Sequence, residues 1–310
     1  MKKIYFVIIV ILTGLGSLSA QTFYGKINPA PSQNPVILNS TDTLKILCAL
    51  VEFQEDRFDQ TYGDGKFGSI YSKEYGNEIL DPLPHDVNYF SNHMLFAQNY
   101  FRKVSKGKAN ISYDFLPGII TVSQPMRNYS PAQSSETFSE LGNLAQEVWQ
   151  LADQNFADVN YGDYDLFFIF HAGVGRDIVE VTADFGRFDL PSIYLSNNQL
   201  KKIFGNDFNG FPVQNGNFRI TNTAVLPETE SREVSIIGGT ALIELTINGL
   251  IVSTIASHLG LPDLFNTETG RTAIGRFGLM DGQAFFAYSG LFPPEPSPWE
   301  QIYLGWEEPV

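Results

Sequence analysis

The chain has 310 residues, a formal net charge of −14, and a composition that is 43% hydrophobic but only 17% charged. Such a composition is typical of a globular protein with a sizeable core and excludes a disordered chain. The negative charge disfavours nucleic acid and anionic membrane as partners, because both are negatively charged. Cys48 is the only cysteine, so no disulfide can form within the chain. Its apolar sequence neighbours predict a buried thiol in a strand.

The first 20 residues have the pattern of a signal peptide. Lys2 and Lys3 precede an apolar run at 4–12, and small residues at 17–20 end the segment. The alternative is a membrane anchor, but the apolar run is shorter than the roughly 20 residues that span a bilayer. We therefore expect a secreted or periplasmic protein. Residues 21–43 are rich in Pro, Asn and Ser and predict an irregular leader before a folded domain at 44–310.

Apolar strands and amphipathic helices follow one another along this domain. Short apolar runs predict buried strands, and apolar residues spaced three and four apart predict helices. The predicted elements are a strand at 44–53, a helix at 86–104, strands at 111–115 and 118–122 around a Pro117-Gly118 turn, a helix from Ser134 to about Phe156, and strands at 166–170 and 220–226. Residues 231–245 are ambiguous between an early helical turn and an extra strand.

Acidic residues are concentrated in two predicted loops. Asp158, Asp163 and Asp165 could supply part of a calcium site, because Ca²⁺ is bound by six to eight oxygens that often come from alternate acidic positions of one loop. The alternative is a solvated loop at the end of the preceding helix. Glu228, Glu230 and Glu233 follow the strand at 220–226, and we expect all three on an exposed loop.

The most informative stretch, at 248–263, reads N-G-L-I-V-S-T-I-A-S-H-L-G-L-P-D. It predicts an apolar helix that stops at Gly260, because a glycine just past the last helical residue and a proline two positions later are stop signals. Its end resembles the H-E-x-x-H-x-x-G-L-P-D segment of the immune-inhibitor-A-type secreted zinc metalloproteases, a metzincin-like family. Other similar segments are H-A-G-V-G at 171–175, L-M-D-G at 279–282 and S-P-W-E-Q-I-Y-L-G-W at 297–306.

The resemblance implies an α+β fold, namely a metzincin-like catalytic domain with a twisted mixed sheet, packed helices, an active-site-type helix and a methionine turn. It implies an N-terminal lobe to about residue 260 and a C-terminal lobe at 261–310. Met280 falls where the family has the methionine beneath its metal. Asp263 falls at the position of the third metal ligand.

The metal-binding part of the family motif is replaced in this chain. Ser253 and Ser257 stand where the resemblance implies the two histidine ligands, and Thr254 stands where it implies the general-base glutamate. Zinc is bound by imidazole, thiolate or carboxylate groups, and a threonine hydroxyl is not a base near neutral pH. The sequence therefore predicts a catalytically inactive metalloprotease-like protein without zinc that binds a peptide or protein in the vestigial cleft.

Two enzymatic alternatives stay open at this stage. An active zinc protease with relocated ligands would draw on His171, His258, Asp263 and Glu244, although a histidine at a strand end such as His171 is usually structural. A serine hydrolase would use Ser253 or Ser257, but neither lies in a G-x-S-x-G segment.

Overall fold

The computed structural model of the chain describes residues 35–39, 41–132, 135, 137–178, 186–266, 271–275, 277–283 and 287–309. The predicted signal peptide and most of the predicted leader lie outside the described residues, as does Ser134, the predicted start of the second helix. Of the leader, residues 35–39 are irregular, and the Val36 N–H donates a hydrogen bond of 2.9 Å to the carbonyl of Leu259.

Nine strands and five α-helices are found in the described part of the chain. The strands are β1 (Thr43–Glu52), β2 (Asn110–Thr121), β3 (Leu166–Val174), β4 (Ile193–Leu195), β5 (Phe211–Val213), β6 (Phe218–Ile220), β7 (Thr223–Thr229), β8 (Arg232–Ile236) and β9 (Gly239–Ile243). The helices are α1 (Val87–Val104), α2 (Ser139–Asn155), α3 (Asn197–Phe204), α4 (Asn248–His258) and α5 (Pro298–Tyr303).

The central sheet has five strands in the order β2-β1-β3-β7-β4. The first four strands are parallel, and β4 pairs antiparallel with β7 at one edge. All residues of β3 and β7 are buried, as expected for central strands that are covered on both faces. The chain is thus a mixed α and β protein with a mixed sheet, and the predicted strands at 44–53 and 166–170 are confirmed.

Side chains of β1 alternate between the two cores of the molecule. Ile46, Cys48 and Leu50 face the core that α1 and α4 cover, whereas Leu47 and Ala49 face the core that α2 covers. The first core combines residues before position 260, such as Ile46 and Ile255, with residues after it, such as Leu261, Met280 and Trp306. The two-lobe boundary at that position stays a prediction.

Helix α1 begins and ends as the sequence predicts. The Asp86 side chain accepts hydrogen bonds from the backbone N–H groups of Asn88 and Tyr89, at 2.9 and 3.1 Å, and so caps the helix. Arg102 and Lys103 lie in the last turn, where positive charge is favoured by the helix dipole.

Two predictions for other segments need correction or completion. Residues 110–121 form one strand, not two strands around a Pro117-Gly118 turn. The register between β1 and β2 shifts between Cys48 and Leu50, which indicates a bulge in the edge strand β2. The bulge accommodates Pro117, which has no N–H to donate to the neighbouring strand. The ambiguous segment at 231–245 is the β8–β9 hairpin. No helix of the described residues is long and apolar enough to cross a membrane.

Candidate functional site

Helix α4 is buried along almost its whole length, since every residue from Asn248 to Ser257 is inaccessible to solvent or nearly so. It ends at Gly260, which has a φ of +99°, a value that glycine adopts readily. The Gly260 N–H donates to the carbonyl of Ser257 at 3.1 Å, and the Leu261 N–H donates to that of Ala256 at 3.0 Å. These two bonds form a Schellman motif, which confirms the helix stop that the sequence predicts.

The two serines of α4 donate hydrogen bonds to the backbone of their own helix. Ser253 Oγ donates to the carbonyl of Leu250 at 3.0 Å, and Ser257 Oγ donates to the carbonyl of Ser253 at 3.1 Å. Both side chains are buried, as is that of Thr254 between them. Each serine hydroxyl therefore has its hydrogen-bond acceptor within its own helix, in the preceding turn.

Asp263 follows the helix stop and carries an unusual carboxyl group. Its Oδ2 is buried and has no hydrogen-bond partner among the described residues. Burial raises the pKa of this carboxyl well above its ordinary value. A buried oxygen without a partner is costly, which agrees with the raised pKa of this carboxyl.

Met280 lies beneath this region, in the core that contains α4. Its side chain is buried, and its carbonyl accepts a hydrogen bond of 2.8 Å from the N–H of Leu264. The turn at Leu279–Gln283 is therefore tied to the segment after α4.

His85 and His93 both lie against the Tyr89 ring, at centroid distances of 4.1 and 4.5 Å, whereas His171 and His258 have different surroundings. His85 Nδ1 lies 2.6 Å from Glu228 Oε1, and His93 Nδ1 lies 2.7 Å from Asn248 Oδ1. His258 Nδ1 lies 2.9 Å from Tyr194 Oη, and His171 Nδ1 lies 2.9 Å from the carbonyl oxygen of Ala172. Burial lowers the pKa values of His171 and His258 to about 4, so both are neutral at neutral pH. Within the described ranges, no group of three or more His, Cys, Asp or Glu side chains could hold a metal ion.

The relocated-ligand alternative relied on His171, His258, Asp263 and Glu244, and the described structure does not bring these four residues together as a metal-binding group. Glu244 Oε2 instead accepts a hydrogen bond of 2.7 Å from the N–H of Leu80.

The expectation that Glu228 and Glu230 are exposed is wrong, because both are fully buried. Glu228 is the last-but-one residue of β7 and accepts hydrogen bonds from the N–H groups of Gly68 and Gly173, at 2.8 and 2.9 Å, besides its contact with His85. Sequence reasoning missed this pair because His85 and Glu228 are 143 positions apart. A carboxylate can be buried when several donors satisfy it.

A second buried polar group lies where β3 and β7 end. It consists of Asp177, Asp189, Glu230, Arg176 and Arg232. Arg232 Nη2 lies 2.5 Å from Glu230 Oε2, and the Asp177 carboxyl accepts hydrogen bonds from Ser192. We call these five residues the acid–arginine cluster. In the sequence, Arg176 and Asp177 follow the H-A-G-V-G segment, and Glu230 and Arg232 follow β7. These two pairs are far apart in the chain, and only the fold brings them together.

The three candidate calcium ligands lie near the start of β3. All three are exposed, and Asp165 Oδ2 accepts a hydrogen bond of 2.9 Å from the N–H of Lys45 in β1. The Asp165 side chain thus fixes the loop to the sheet. Calcium binding by these residues stays a prediction.

No protein-family model matches the chain, and no curated protein matches it with significant similarity. What the site can do therefore has to be argued from its own residues. The donor set around α4 does not fit zinc: two hydroxyls directed at backbone carbonyls and one carboxyl do not make a tetrahedral nitrogen, sulfur or carboxylate site.

Proposed function

We propose that this chain is an exported, metalloprotease-like protein of the immune-inhibitor-A type that has lost its zinc chemistry and binds a peptide or protein segment. In this proposal the fold is the metzincin-like catalytic domain, α4 is the former active-site helix, and Met280 lies in the former methionine turn. Calcium bound by Asp158, Asp163 and Asp165 belongs to the same proposal as a structural ion.

The observation that carries the proposal is the hydrogen bonding of Ser253 and Ser257. Both hydroxyls donate to carbonyls of α4 itself, at the two positions where the family resemblance implies imidazoles. Thr254, at the general-base position, is also small, neutral and buried. Replacing all three polar groups by neutral ones removes the cost of unpaired charge in a buried site that no longer holds a cation.

The candidate binding element is β4, the edge strand nearest to α4. Among the described residues, β4 pairs on one side with β7 and lies at the end of the sheet order. The edge of a sheet offers backbone donors and acceptors to an extended peptide, which can add to it as a further strand. Tyr194 Oη in the middle of β4 hydrogen-bonds with His258 Nδ1 at the end of α4, so the strand is in direct contact with the helix.

The alternative function is an active zinc endopeptidase with relocated ligands. No observation in the described residues favours it, and zinc analysis of the purified protein decides between the two. The protein without residues 1–20 is dialysed with zinc, measured by elemental analysis, and incubated with casein with and without a chelator. We expect no stoichiometric zinc and no chelator-sensitive cleavage. Stoichiometric zinc together with chelator-sensitive cleavage would overturn the proposal.

Peptide binding is tested with a library of extended peptides and amide hydrogen exchange. We expect a bound peptide to slow exchange at Ile193–Leu195 in β4. The opposite edge strand, β2, is the internal control and should be unaffected. If no peptide of the library alters exchange in β4, the binding role is wrong.

A further inference from the structure

The outer half of the β8–β9 hairpin is open to solvent. All residues at 235–240 are exposed. Ile236 pairs with Gly239, so Ile237 and Gly238 form the turn. Ile236 is 55% exposed, and Ile237 is exposed completely. A two-stranded hairpin is only marginally stable in water when nothing else packs against it. The end of this hairpin therefore leaves two isoleucines largely uncovered by the rest of the described chain.

The hairpin strands contain an uncharged run. No charged residue lies between Glu233 and Glu244, although the whole chain has a formal net charge of −14. Edge strands that stay unpaired usually carry a lysine, a proline or a bulge, which prevents pairing with another chain. β9 reads G-T-A-L-I and its register with β8 is regular, so it has none of these features. Two copies of this acidic protein can therefore approach each other at the hairpin with little charge repulsion.

Only one edge of the hairpin is free. β8 lies against the segment at 62–75: Tyr62 Oη donates to the carbonyl of Glu233 at 3.0 Å, and the Ser72 N–H and Tyr75 Oη donate to Glu233 Oε1 at 3.0 and 2.9 Å. β9 pairs with β8 on one side. On its other side, no hydrogen bond joins β9 to another element among the described residues. The backbone groups along the outer edge of β9 are therefore open to a partner strand.

A second copy of the chain is a self-complementary partner for this edge. Two identical strands that pair antiparallel are related by a twofold axis, so each offers the other the same donors and acceptors. A lipid surface would leave the free backbone groups of β9 without hydrogen bonds. Because each hairpin has a single free edge, association ends at two copies and does not continue into a fibre.

We propose that this chain forms a symmetric dimer through β9, in which the hairpins of two copies join edge to edge as one four-stranded antiparallel sheet. Antiparallel pairing directs the turn of each hairpin toward the base of the other, where the second copy covers Ile236 and Ile237. The contact is small, since β9 has five residues, so we expect a weak dimer in exchange with the monomer. The dimer rests on the hairpin alone and does not depend on the proposed function.

The dimer is tested by analytical ultracentrifugation of the protein without residues 1–20, between about 1 µM and 1 mM, the range of dissociation constants of weak complexes. The mass should rise from that of one chain to that of two and no further. Thr240→Lys places a positive charge on the free edge of both copies. Its dissociation constant should be higher by about tenfold or more, since like charges and an edge lysine both oppose strand pairing.

Thr121→Lys is the matched control. Thr121 is exposed at the end of β2, which is an edge strand of the central sheet. The substitution adds the same charge at the same residue type, so the two variants have equal net charge. Thr121→Lys should dimerise as the unchanged protein does. Equal loss of the dimer in both variants would place the contact outside the hairpin and overturn the proposal.

Amide hydrogen exchange locates the contact and needs no variant, so it also serves if Thr240→Lys does not fold. Raising the protein concentration should slow exchange in β9 and leave β2 unchanged. A monomeric mass at every concentration, unchanged exchange in β9, or an undiminished dimer in folded Thr240→Lys would each overturn the proposal. Flotation of the monomer with phosphatidylcholine vesicles would also overturn it, because the hairpin would then bind lipid. Growth beyond two copies would contradict the single free edge.

Discussion

Glu230 lies directly against the backbone of Gly175. Its Oε1 is 1.7 Å from the position that a β-carbon on Gly175 would occupy, and the Cγ of Pro227 is 2.8 Å from the same position. Only a residue without a side chain fits there, so the glycine after β3 and the buried acid after β7 depend on each other. The acid–arginine cluster is built on this close approach.

The first prediction is that Gly175→Ala destabilises the protein by about 1–3 kcal/mol, the usual cost of forcing extra atoms into a packed interior. Chemical denaturation with fluorescence detection measures the free energy of unfolding. Gly162→Ala is the matched control, because a β-carbon at Gly162 meets its nearest neighbour, Asn160 Oδ1, at an ordinary 3.5 Å. Equal stability of the two variants would contradict the packing described for Glu230.

The second prediction concerns the metal site that the proposed function assigns to the ancestor of α4. The triple variant Ser253→His, Thr254→Glu and Ser257→His should bind one zinc ion if α4 and Asp263 keep the family geometry, since two imidazoles and a carboxylate then converge. Zinc is measured by elemental analysis after circular dichroism has shown that the variant is folded. Adding Asp263→Ala to the triple variant should weaken binding. A folded triple variant that binds no zinc would refute the alignment of α4 with the family motif.

The third prediction is that Ser253→Ala and Ser257→Ala change the free energy of unfolding by about 1 kcal/mol or less, because each substitution removes one hydrogen bond to the helix's own backbone. Neither should alter peptide binding or any residual hydrolysis of esters. A loss of hydrolytic activity in either variant would instead support the serine-hydrolase alternative.

The fourth prediction concerns the pH dependence of the buried pair His85 and Glu228. Burial lowers the pKa of His85, but the hydrogen bond and charge of Glu228, with a contribution from Asp81, outweigh it and raise the pKa above its ordinary value. A raised histidine pKa contributes stability that is fully present below about pH 6.5, the unfolded value, and is lost as the pH rises through the folded value. The stability lost in His85→Gln should therefore be largest near pH 5.5 and should shrink above neutrality.

His171→Gln is the control for this experiment, because burial lowers the pKa of His171 to about 4 and the folded protein keeps that ring neutral. Protonation of His171 then costs stability as the pH falls below about 6.5, so its replacement should become more favourable at low pH, opposite in sense to His85→Gln. Urea unfolding at four or five pH values measures both. If both variants showed the same pH trend, Glu228 would not be stabilising the charged form of His85.

Local signals in the sequence determined several elements correctly. The apolar runs of β1 and β3, the helical spacing of α1 and the Gly260 stop of α4 each depend on residues within one or two turns or on a single strand. Such features are fixed by periodicity, capping and backbone preference, which act over a few residues.

Only the tertiary structure decided where the polar groups lie and what they contact. Glu228 and Glu230 look like loop acids in sequence, yet the fold places Glu228 beside His85 and Glu230 beside Arg232, and these contacts make their burial tolerable. The fold likewise brings His85 and His93 to the same tyrosine and places His171 and His258 elsewhere. Burial and pairing of polar groups depend on contacts between residues far apart in the chain. The sequence pattern alone does not show which of these residues come close in the folded protein.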